Sequence, residues 1–252
     1  MRKTIMVTGA TAGFGRATAL EFAGNGYNVI ITGRRKERLL ELAKEIEAFK
    51  TGVIPLNFDV RNKSEVDSAV RSLPPEWKEI DILVNNAGLA AGLSHIDDGD
   101  TDDWDMMVDT NIKGLLYVTR AVAPLMAARK RGHIFNISSI AGKDIYENGN
   151  VYCATKSAVD SLSKAMRIDL LKHGIRVTNI APGMAETEFS IVRFKGDQEK
   201  ADAVYRGVKA LSAEDIAMVI YFCATLPDHV CIDDLTITPT QQAGVGAVYR
   251  KA

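Results

Sequence analysis

The sequence has few of the residues that build disulfide frameworks and metal centres. Its three cysteines, Cys153, Cys223 and Cys231, form no CxxC pair and no even set, which predicts reduced thiols and a cytoplasmic location. Its four histidines are scattered without the spacing of metal ligands, so no metal site is predicted.

Strong net charge and long apolar runs are also missing. A formal net charge of -1 gives no reason to expect nucleic acid or an acidic membrane surface as a partner. No apolar run approaches the roughly 18 residues of a membrane span. The run that begins at Ile5 ends at Gly9, which is too short for a signal peptide. With 252 residues, 46% of them hydrophobic, the chain is expected to be soluble and globular.

The first notable stretch is a glycine-rich turn between a short buried strand, residues 4–7, and a helix from Arg16. Glycine lets a backbone approach a ligand closely, and the first amides of a helix attract an anion. The turn therefore predicts a cradle for the phosphates of a dinucleotide, although a plain strand–helix turn is the alternative. The candidate contacts are Gly9, Thr11, Ala12, Gly13, Phe14 and Gly15.

Two arginines follow the second predicted strand, residues 28–32. In a dinucleotide-binding fold this position meets the adenosine ribose, where an acid binds a 2'-hydroxyl and arginine suits a 2'-phosphate. Arg34 and Arg35 therefore predict NADP rather than NAD as the cofactor. The alternative is that one or both of them only begin the next helix.

The third and fourth predicted strands, residues 53–58 and 81–84, end in further candidate contacts. Asp59, followed by Val60, can accept from an adenine amino group, or it can cap the next helix. The turn after the fourth strand can pass beneath a cofactor ring, or it can be a structural turn without ligand contact. Its candidate residues are Asn86, Ala87 and Gly88.

Tyr152 and Lys156 lie four residues apart in a predicted helix, residues 151–173, so they share one face. A nearby ammonium favours the phenolate, so Lys156 is expected to bring the pKa of Tyr152 toward working pH. Ser139 follows the fifth predicted strand, thirteen residues upstream of Tyr152. Tyrosine and lysine also occur together on exposed helix faces, which is the alternative for this pair.

A predicted helix over residues 101–129 contains an amide and a proline. Pro124 is expected to kink or divide this helix. Asn111 needs a hydrogen-bond partner among apolar neighbours. It is either structural, or it binds a water that links Lys156 to solvent.

The last third of the chain contains a sixth strand, residues 175–180, and then a long mixed stretch, residues 184–210, which is typical of a substrate lid. Arg193 in this stretch is a candidate clamp for a substrate carboxylate. The alternative is a surface pair with Glu188 or Asp197. A helix, a seventh strand and a polar tail that could pack against another subunit complete the chain.

Strands and helices alternate along the whole sequence. This predicts an α/β fold of the Rossmann type, a single domain over residues 1–252 with one doubly wound parallel sheet of seven strands.

These motifs, in this order and spacing, resemble the short-chain dehydrogenase/reductase family along nearly the full chain. The matching pieces are Thr8–Gly15, Asn85–Gly88, Asn111, Ser139, Tyr152-x-x-x-Lys156 and Pro182-Gly183. The resemblance implies that Ser139 and Tyr152 bind the substrate oxygen and that Tyr152 moves its proton. It also implies that Lys156 holds the nicotinamide ribose and that Asn111 keeps a water relay. Further cofactor contacts are expected at Pro182, Gly183, Thr187 and Phe189.

Other pieces resemble a narrower group, the NADP-dependent dehydrogenases of 3-hydroxy acids, which also act on serine and allo-threonine. These pieces are residues 9–15, 32–35, 56–61, 109–111, 187–189 and 192–197. The resemblance implies oxidation of the 3-hydroxyl of L-serine, L-allo-threonine or 3-hydroxypropionate, and a homotetramer. A ketoreductase for acyl-carrier, sugar or steroid substrates would use the same catalytic residues. A non-catalytic NADP-binding regulator is the remaining alternative, although it would be expected to lack part of the Ser–Tyr–Lys set.

Overall fold

Seven parallel strands form one sheet in the computed structural model, which describes residues 2–251. Their bounds are β1 Thr4–Val7, β2 Asn28–Gly33, β3 Val53–Asn57, β4 Ile80–Asn85, β5 Gly132–Ile137, β6 Ile175–Pro182 and β7 Asp234–Ile237. The spatial order is β3-β2-β1-β4-β5-β6-β7, so the sheet extends outward in both directions from the pair β1 and β4. The predicted doubly wound seven-stranded fold is confirmed.

Nine α-helices connect and cover these strands in the described part of the chain. Their bounds are α1 Gly13–Gly24, α2 Lys36–Glu47, α3 Lys63–Ser72, α4 Thr101–Val108, α5 Leu115–Arg129, α6 Asn150–Leu170, α7 Phe189–Arg193, α8 Gln198–Tyr205 and α9 Ala213–Thr225. None of the helices within residues 2–251 is both long enough and apolar enough to cross a membrane.

The core has two halves, one on each face of the sheet. Successive side chains of a strand point to opposite faces. Thus Ile5 and Val7 of β1 join the cluster that contains Phe22 of α1, whereas Met6 joins the cluster that contains Val122 of α5. Each such side chain is fully or almost fully buried, which stabilises the fold by roughly 1.5–3 kcal/mol per large apolar residue. Both faces are covered, which explains the continuous apolar runs in the strand sequences.

The predicted long helix over residues 101–129 is divided, but not at Pro124. The interruption is a π-helical turn, Asp109–Gly114, between α4 and α5. Pro124 lies inside α5, which continues as an α-helix to Arg129 and is held by buried neighbours on both sides of the proline. Pro124 therefore does not divide the helix, a kink at this proline stays a prediction, and the break lies at the turn that contains Asn111.

The strand order places a crevice where β1 and β4 lie side by side and their connections leave in opposite directions. In open α/β sheets, ligands bind at this switch point, outside the carboxyl ends of the strands. The glycine-rich turn after β1 and the turn after β4 therefore meet at the same edge. Above that edge lie α7 and α8, which occupy the predicted lid.

The polar tail folds back on its own chain. Gln242 and Val248 form an antiparallel bridge, and Tyr249 N donates to Gln241 O at 2.8 Å. Lys251 N donates to Gly207 O at 2.9 Å, which joins the tail to the end of the lid. Within one chain the tail therefore packs against the lid, and its packing against another subunit stays a prediction.

Candidate active site

A cavity of about 600 Å³ lies at the carboxyl ends of the central strands and collects almost all of the predicted site residues. The predicted residues that line it are Gly9, Thr11, Ala12, Gly13, Phe14, Arg34, Arg35, Asp59, Val60, Asn86, Ala87, Gly88, Ser139, Tyr152, Lys156, Pro182, Gly183, Thr187, Phe189 and Arg193. Gly15 and Asn111 are the two predicted residues outside this lining.

The glycine-rich turn has the shape of an anion cradle. Gly9 and Gly13 have φ of 65° and 51°, a left-handed conformation that favours glycine. A Cβ at Gly15 would lie 2.5 Å from the carbonyl oxygen of Gly9, so Gly15 serves close packing of α1 against the turn. The first residues of α1, which begins at Gly13, line the cavity, and their backbone N–H groups can donate hydrogen bonds to an anion.

Asn86 joins the turn after β4 to the glycine-rich turn after β1. Its Nδ2 donates to the carbonyl oxygens of Thr8 at 2.8 Å and Gly9 at 3.2 Å. The Thr8 hydroxyl in turn accepts from the backbone N–H of Asn86 and Ala87, each at 3.0 Å. The turn after β4 is therefore held by structural hydrogen bonds and also lines the cavity, and its position beneath a cofactor ring stays a prediction.

Arg34 and Arg35, which form the arginine corner after β2, lie at the edge of the same cavity. Arg35 directly precedes α2, yet its guanidinium reaches back to the glycine-rich turn: Nε and Nη2 donate to Thr11 Oγ1 at 3.1 and 2.9 Å. Arg34 lies 3.8 Å from Asp59 and its side chain is half-exposed at the cavity rim. Neither arginine serves only to begin the helix, and both can approach a phosphate.

Asp59 is held at the cavity by an arginine and does not cap α3. The cap is Asn62, whose side chain accepts from the backbone N–H of Ser64 and Glu65. Arg61 Nη2 donates to Asp59 Oδ2 at 2.6 Å. Burial alone would raise the pKa of Asp59, but its hydrogen bonds with Arg61 lower it below the ordinary value. Asp59 is therefore an ionised acceptor at neutral pH.

Tyr152 and Ser139 lie together at the other end of the cavity. Tyr152 is buried on α6, and its ring lies 5.7 Å from that of Phe189 on α7. Burial raises the pKa of Tyr152 well above its ordinary value, and the opposing effects of a hydrogen bond with Ser139 and of the charge on Arg193 do not offset it. Lys156 is not among the groups that lower the pKa of Tyr152, so its expected effect on the phenol stays a prediction.

Lys156 is a buried amine with a backbone partner. Its Nζ donates to the carbonyl oxygen of Ile137 at 3.0 Å and lies 5.9 Å from the centre of the Tyr152 ring. A Cβ at Gly88 would lie 3.4 Å from this Nζ, so Gly88 leaves room for it. Burial lowers the pKa of Lys156 to about 8. Tyr152 and Lys156 thus lie inside the cavity, and the alternative of an exposed helix face is wrong.

Arg193 has no carboxylate partner among residues 2–251. Glu188 pairs instead with Arg35 and Arg38, and Asp197 pairs with Lys200. The Arg193 guanidinium lies over two rings, 5.6 Å from that of Tyr152 and 5.4 Å from that of Tyr146. The alternative of a surface ion pair is therefore wrong, and a guanidinium faces the cavity beside the buried phenol.

Asn111 acts from behind the site. Its Oδ1 accepts from the backbone N–H of Leu89, and its Nδ2 donates to Leu89 O and to Thr155 Oγ1. Both hydrogens of its amide are used, so the side chain fixes the loop after β4 against α6. These contacts agree with the first alternative for Asn111, a structural role.

Some lining residues carried no signal in the sequence. Tyr146 is one of them and comes from the loop after β5. Gln242 of the tail accepts from Met184 N at 2.8 Å and closes the far wall. These residues come together only through tertiary packing, so no local spacing could have indicated them. Among residues 2–251 no three potential metal ligands cluster.

Comparison with known proteins identifies the architecture. The family model described as short chain dehydrogenase matches residues 3–198. The chain belongs to the short-chain dehydrogenase family. An NADP-dependent 3-hydroxy acid dehydrogenase YdfG of Salmonella typhi is 49% identical over 248 residues, which cover 98% of this chain and 99% of the relative.

Two further proteins are similar to this chain over nearly its full length. A solved structure of a serine dehydrogenase in its closed form, complexed with NADP+, has a TM-score of 0.92 and 46% identity, covering 99% of this chain and 100% of that one. Sulfoacetaldehyde reductase 2 of Chromohalobacter salexigens is 46% identical over 244 residues, which cover 96% of each chain. As a short-chain dehydrogenase, this chain is an oxidoreductase that acts on CH–OH groups.

Proposed function

We propose that this short-chain dehydrogenase transfers hydride between NADP and the 3-hydroxyl of small 3-hydroxy acids, such as L-serine, L-allo-threonine and 3-hydroxypropionate. The observation that carries the proposal is the Arg193 guanidinium, which lies 5.6 Å from the Tyr152 ring and has no carboxylate partner in the described chain. A guanidinium suits the planar, bidentate recognition of a carboxylate. The names of the relatives point the same way.

The cavity fits NADP at both ends. The backbone N–H groups at the start of α1 can hold the pyrophosphate. A Cβ at Gly9 would lie 2.9 Å from Ala87, so only glycine allows the turn to take this close course. Arg34 and Arg35 can hold the 2'-phosphate, and Asp59 can accept from the adenine amino group. When bound, NADP supplies the hydride acceptor, and in the other direction NADPH supplies the hydride donor.

The residues of the chain bind the substrate and move its proton. Ser139 and Tyr152 hold the substrate oxygen, and Tyr152 exchanges a proton with it. Lys156 supports the nicotinamide ribose, and Asn111 keeps the loop after β4 and any water relay in place. Because burial raises the pKa of Tyr152, the phenol is ready to donate its proton during reduction at neutral pH. Oxidation needs the phenolate, so its rate is expected to rise as the pH is raised above neutral.

A second candidate function is the reduction of an aldehyde that carries a different anionic group. A relative named sulfoacetaldehyde reductase is 46% identical, and a guanidinium binds a sulfonate as well as a carboxylate. The catalytic groups would be unchanged, so only the substrate anion distinguishes the two functions.

The test measures NADPH absorbance with a panel of substrates and with two arginine variants. Wild-type enzyme is expected to oxidise L-serine and 3-hydroxypropionate faster than the uncharged 1,3-propanediol. Arg193→Leu is expected to lower kcat/KM for L-serine by about 100-fold, the size of a lost charge-assisted contact, and for 1,3-propanediol by less than about threefold. Arg206→Leu, another arginine of the lid but outside the cavity lining, serves as the control.

Equal losses for charged and uncharged substrates would contradict the clamp. Faster reduction of sulfoacetaldehyde than of 3-oxo acids, lost in Arg193→Leu, would establish the second candidate.

We also propose a homotetramer and a cytoplasmic location. Two separate surfaces expose large apolar side chains: Ile168 and Leu171 at the end of α6, and Met218 and Phe222 on α9. Exposed apolar groups at these positions are typical of subunit interfaces. The unpaired cysteines of the described chain suit a reducing compartment.

A further inference from the structure

The short lid helix α7 is fastened at its two ends to different parts of the cavity rim. At its C-terminal end, Gly92 N donates to Arg193 O at 3.1 Å, and Arg193 Nε donates to Gly92 O at 3.3 Å. At its N-terminal end, the residue before the helix is Glu188, whose carboxylate crosses to the arginine corner. The helix thus spans the groove between the adenosine end and the buried phenol.

Glu188 joins the lid to two arginines at once. Arg38 Nη1 lies 2.6 and 2.9 Å from its two carboxylate oxygens, and Arg35 Nη1 lies 2.9 Å from Oε2. Arg35 also donates to Thr11 of the glycine-rich turn. Thr187 packs on the same turn, because a Cβ at Gly13 would lie 3.4 Å from the Cβ of Thr187. Lid, arginine corner and glycine-rich turn therefore form one connected network.

The Glu188 carboxylate is ionised at neutral pH. Burial alone would raise its pKa, but hydrogen bonds from Arg35 and Arg38 lower it below the ordinary value. Isolated exposed ion pairs contribute little, whereas a carboxylate shared by two guanidinium groups is fixed in position by several charge-assisted bonds. Arg193 follows five residues later, roughly 7 Å along a helix, so the placement of Glu188 also places the clamp.

We propose that Glu188 is a positioning residue: by pairing with Arg35 and Arg38 it holds α7 across the groove, keeps Arg193 above Tyr152 and slows release of the cofactor. Its role toward Arg193 rests on the proposed function, whereas its effect on cofactor release does not. Arg38 is the informative partner, because it contacts Glu188 but does not line the cavity.

The first test measures the release rate of NADPH by stopped-flow fluorescence, with no substrate present. Glu188→Gln and Arg38→Gln are each expected to release NADPH about fivefold faster than wild type, and the double variant no faster than either, because both remove one interaction. Glu186→Gln and Lys36→Gln remove the same charges at neighbouring exposed positions outside the ion pairs and are expected to match wild type.

The second test compares substrates. Glu188→Gln and Arg38→Gln are each expected to lower kcat/KM for L-serine by about fivefold, because α7 places the carboxylate clamp. The kcat/KM for 1,3-propanediol is expected to stay within about twofold of wild type. Release rates within twofold of wild type, additive effects in the double variant, or an effect of Glu188→Gln without one of Arg38→Gln would overturn the proposal. If wild type does not oxidise L-serine, the proposed function fails, while the NADPH release rates still test the positioning role.

Discussion

Tyr152, Lys156 and His133 are titratable groups removed from water, and burial favours the neutral form of each. The sequence places Tyr152 and Lys156 on one helix face, and the structure confirms this. The sequence gives no measure of burial, however, so the pKa of Tyr152 could not be predicted from the spacing of the pair. The depth of α6 behind the lid decides that pKa, and depth is a tertiary property.

His133 shows the same effect away from the site. Its Nε2 donates to Thr178 Oγ1 at 2.8 Å, since that hydroxyl already donates to Ile232 O at 2.7 Å. Its Nδ1 is buried without a partner in the described chain, and its ring stacks on Phe135 at 3.9 Å. Burial, with a smaller effect from Arg176, lowers the pKa of His133 to about 3.

His133 is therefore predicted to make the fold sensitive to acid. The unfolded chain binds a proton near pH 6.5, whereas the folded chain does not until about pH 3, so stability falls as the pH falls through this window. The loss should approach about 1.4 kcal/mol per pH unit. Urea unfolding at several pH values should show a steeper loss for wild type than for His133→Gln. His95→Gln, at an exposed histidine, is the control, and equal slopes for wild type and His133→Gln would contradict the prediction.

Among the elements, the strands and long helices were predictable and the short irregular ones were not. Strand β2 was predicted at residues 28–32 and helix α6 at residues 151–173, and the observed elements, Asn28–Gly33 and Asn150–Leu170, end within a few residues of those bounds. Helix α7 has only five residues, too few to show a period. The π-helical turn contains Asn111, whose side chain bonds Leu89, a residue 22 positions away, and no local pattern indicates that contact.

The π-helical turn, Asp109–Gly114, contains two neighbouring polar residues whose substitutions are expected to differ in their cost to stability. Asn111→Leu should lower the free energy of unfolding by about 2 kcal/mol or more, because Leu89 N–H and C=O would be left buried without partners. Thr110→Val should change it by less than about 0.5 kcal/mol, because the Thr110 hydroxyl is buried without a partner. Chemical unfolding of both variants measures this. If Asn111→Leu left the stability unchanged, or if Thr110→Val cost as much as Asn111→Leu, the structural role of the Asn111 side chain would be contradicted.

At the scale of the whole molecule, the sheet order brings together segments that are far apart in sequence. The glycine-rich turn, the arginine corner and Tyr152 line one cavity because the fold ends its central strands at one edge. The order of the motifs along the chain was sufficient to predict that these three segments lie together. The tail was not predictable, because its hairpin is held by contacts with Gly207 and Met184 that its polar sequence does not indicate.

Assembly is the prediction that belongs to this scale. Wild type is expected to have four times the mass of one chain in light scattering coupled to size-exclusion chromatography. The double change Met218→Glu with Phe222→Glu, on the exposed face of α9, should reduce this to a dimer, because two charges per subunit would have to be desolvated in the interface. Lys209→Glu, an exposed change outside α9, is the control. A monomeric wild type would contradict the proposed tetramer.

The most direct measurement compares wild type with Tyr152→Phe for NADPH formation from L-serine, with NADP affinity measured in parallel by protein fluorescence. Removing the hydroxyl takes away the group that exchanges the substrate proton but leaves the ring against Phe189. The variant should retain less than about 1% of the wild-type rate, and its NADP affinity should stay within about twofold. A variant that keeps more than a few per cent of the rate would contradict the assignment of Tyr152 as the proton-transferring group.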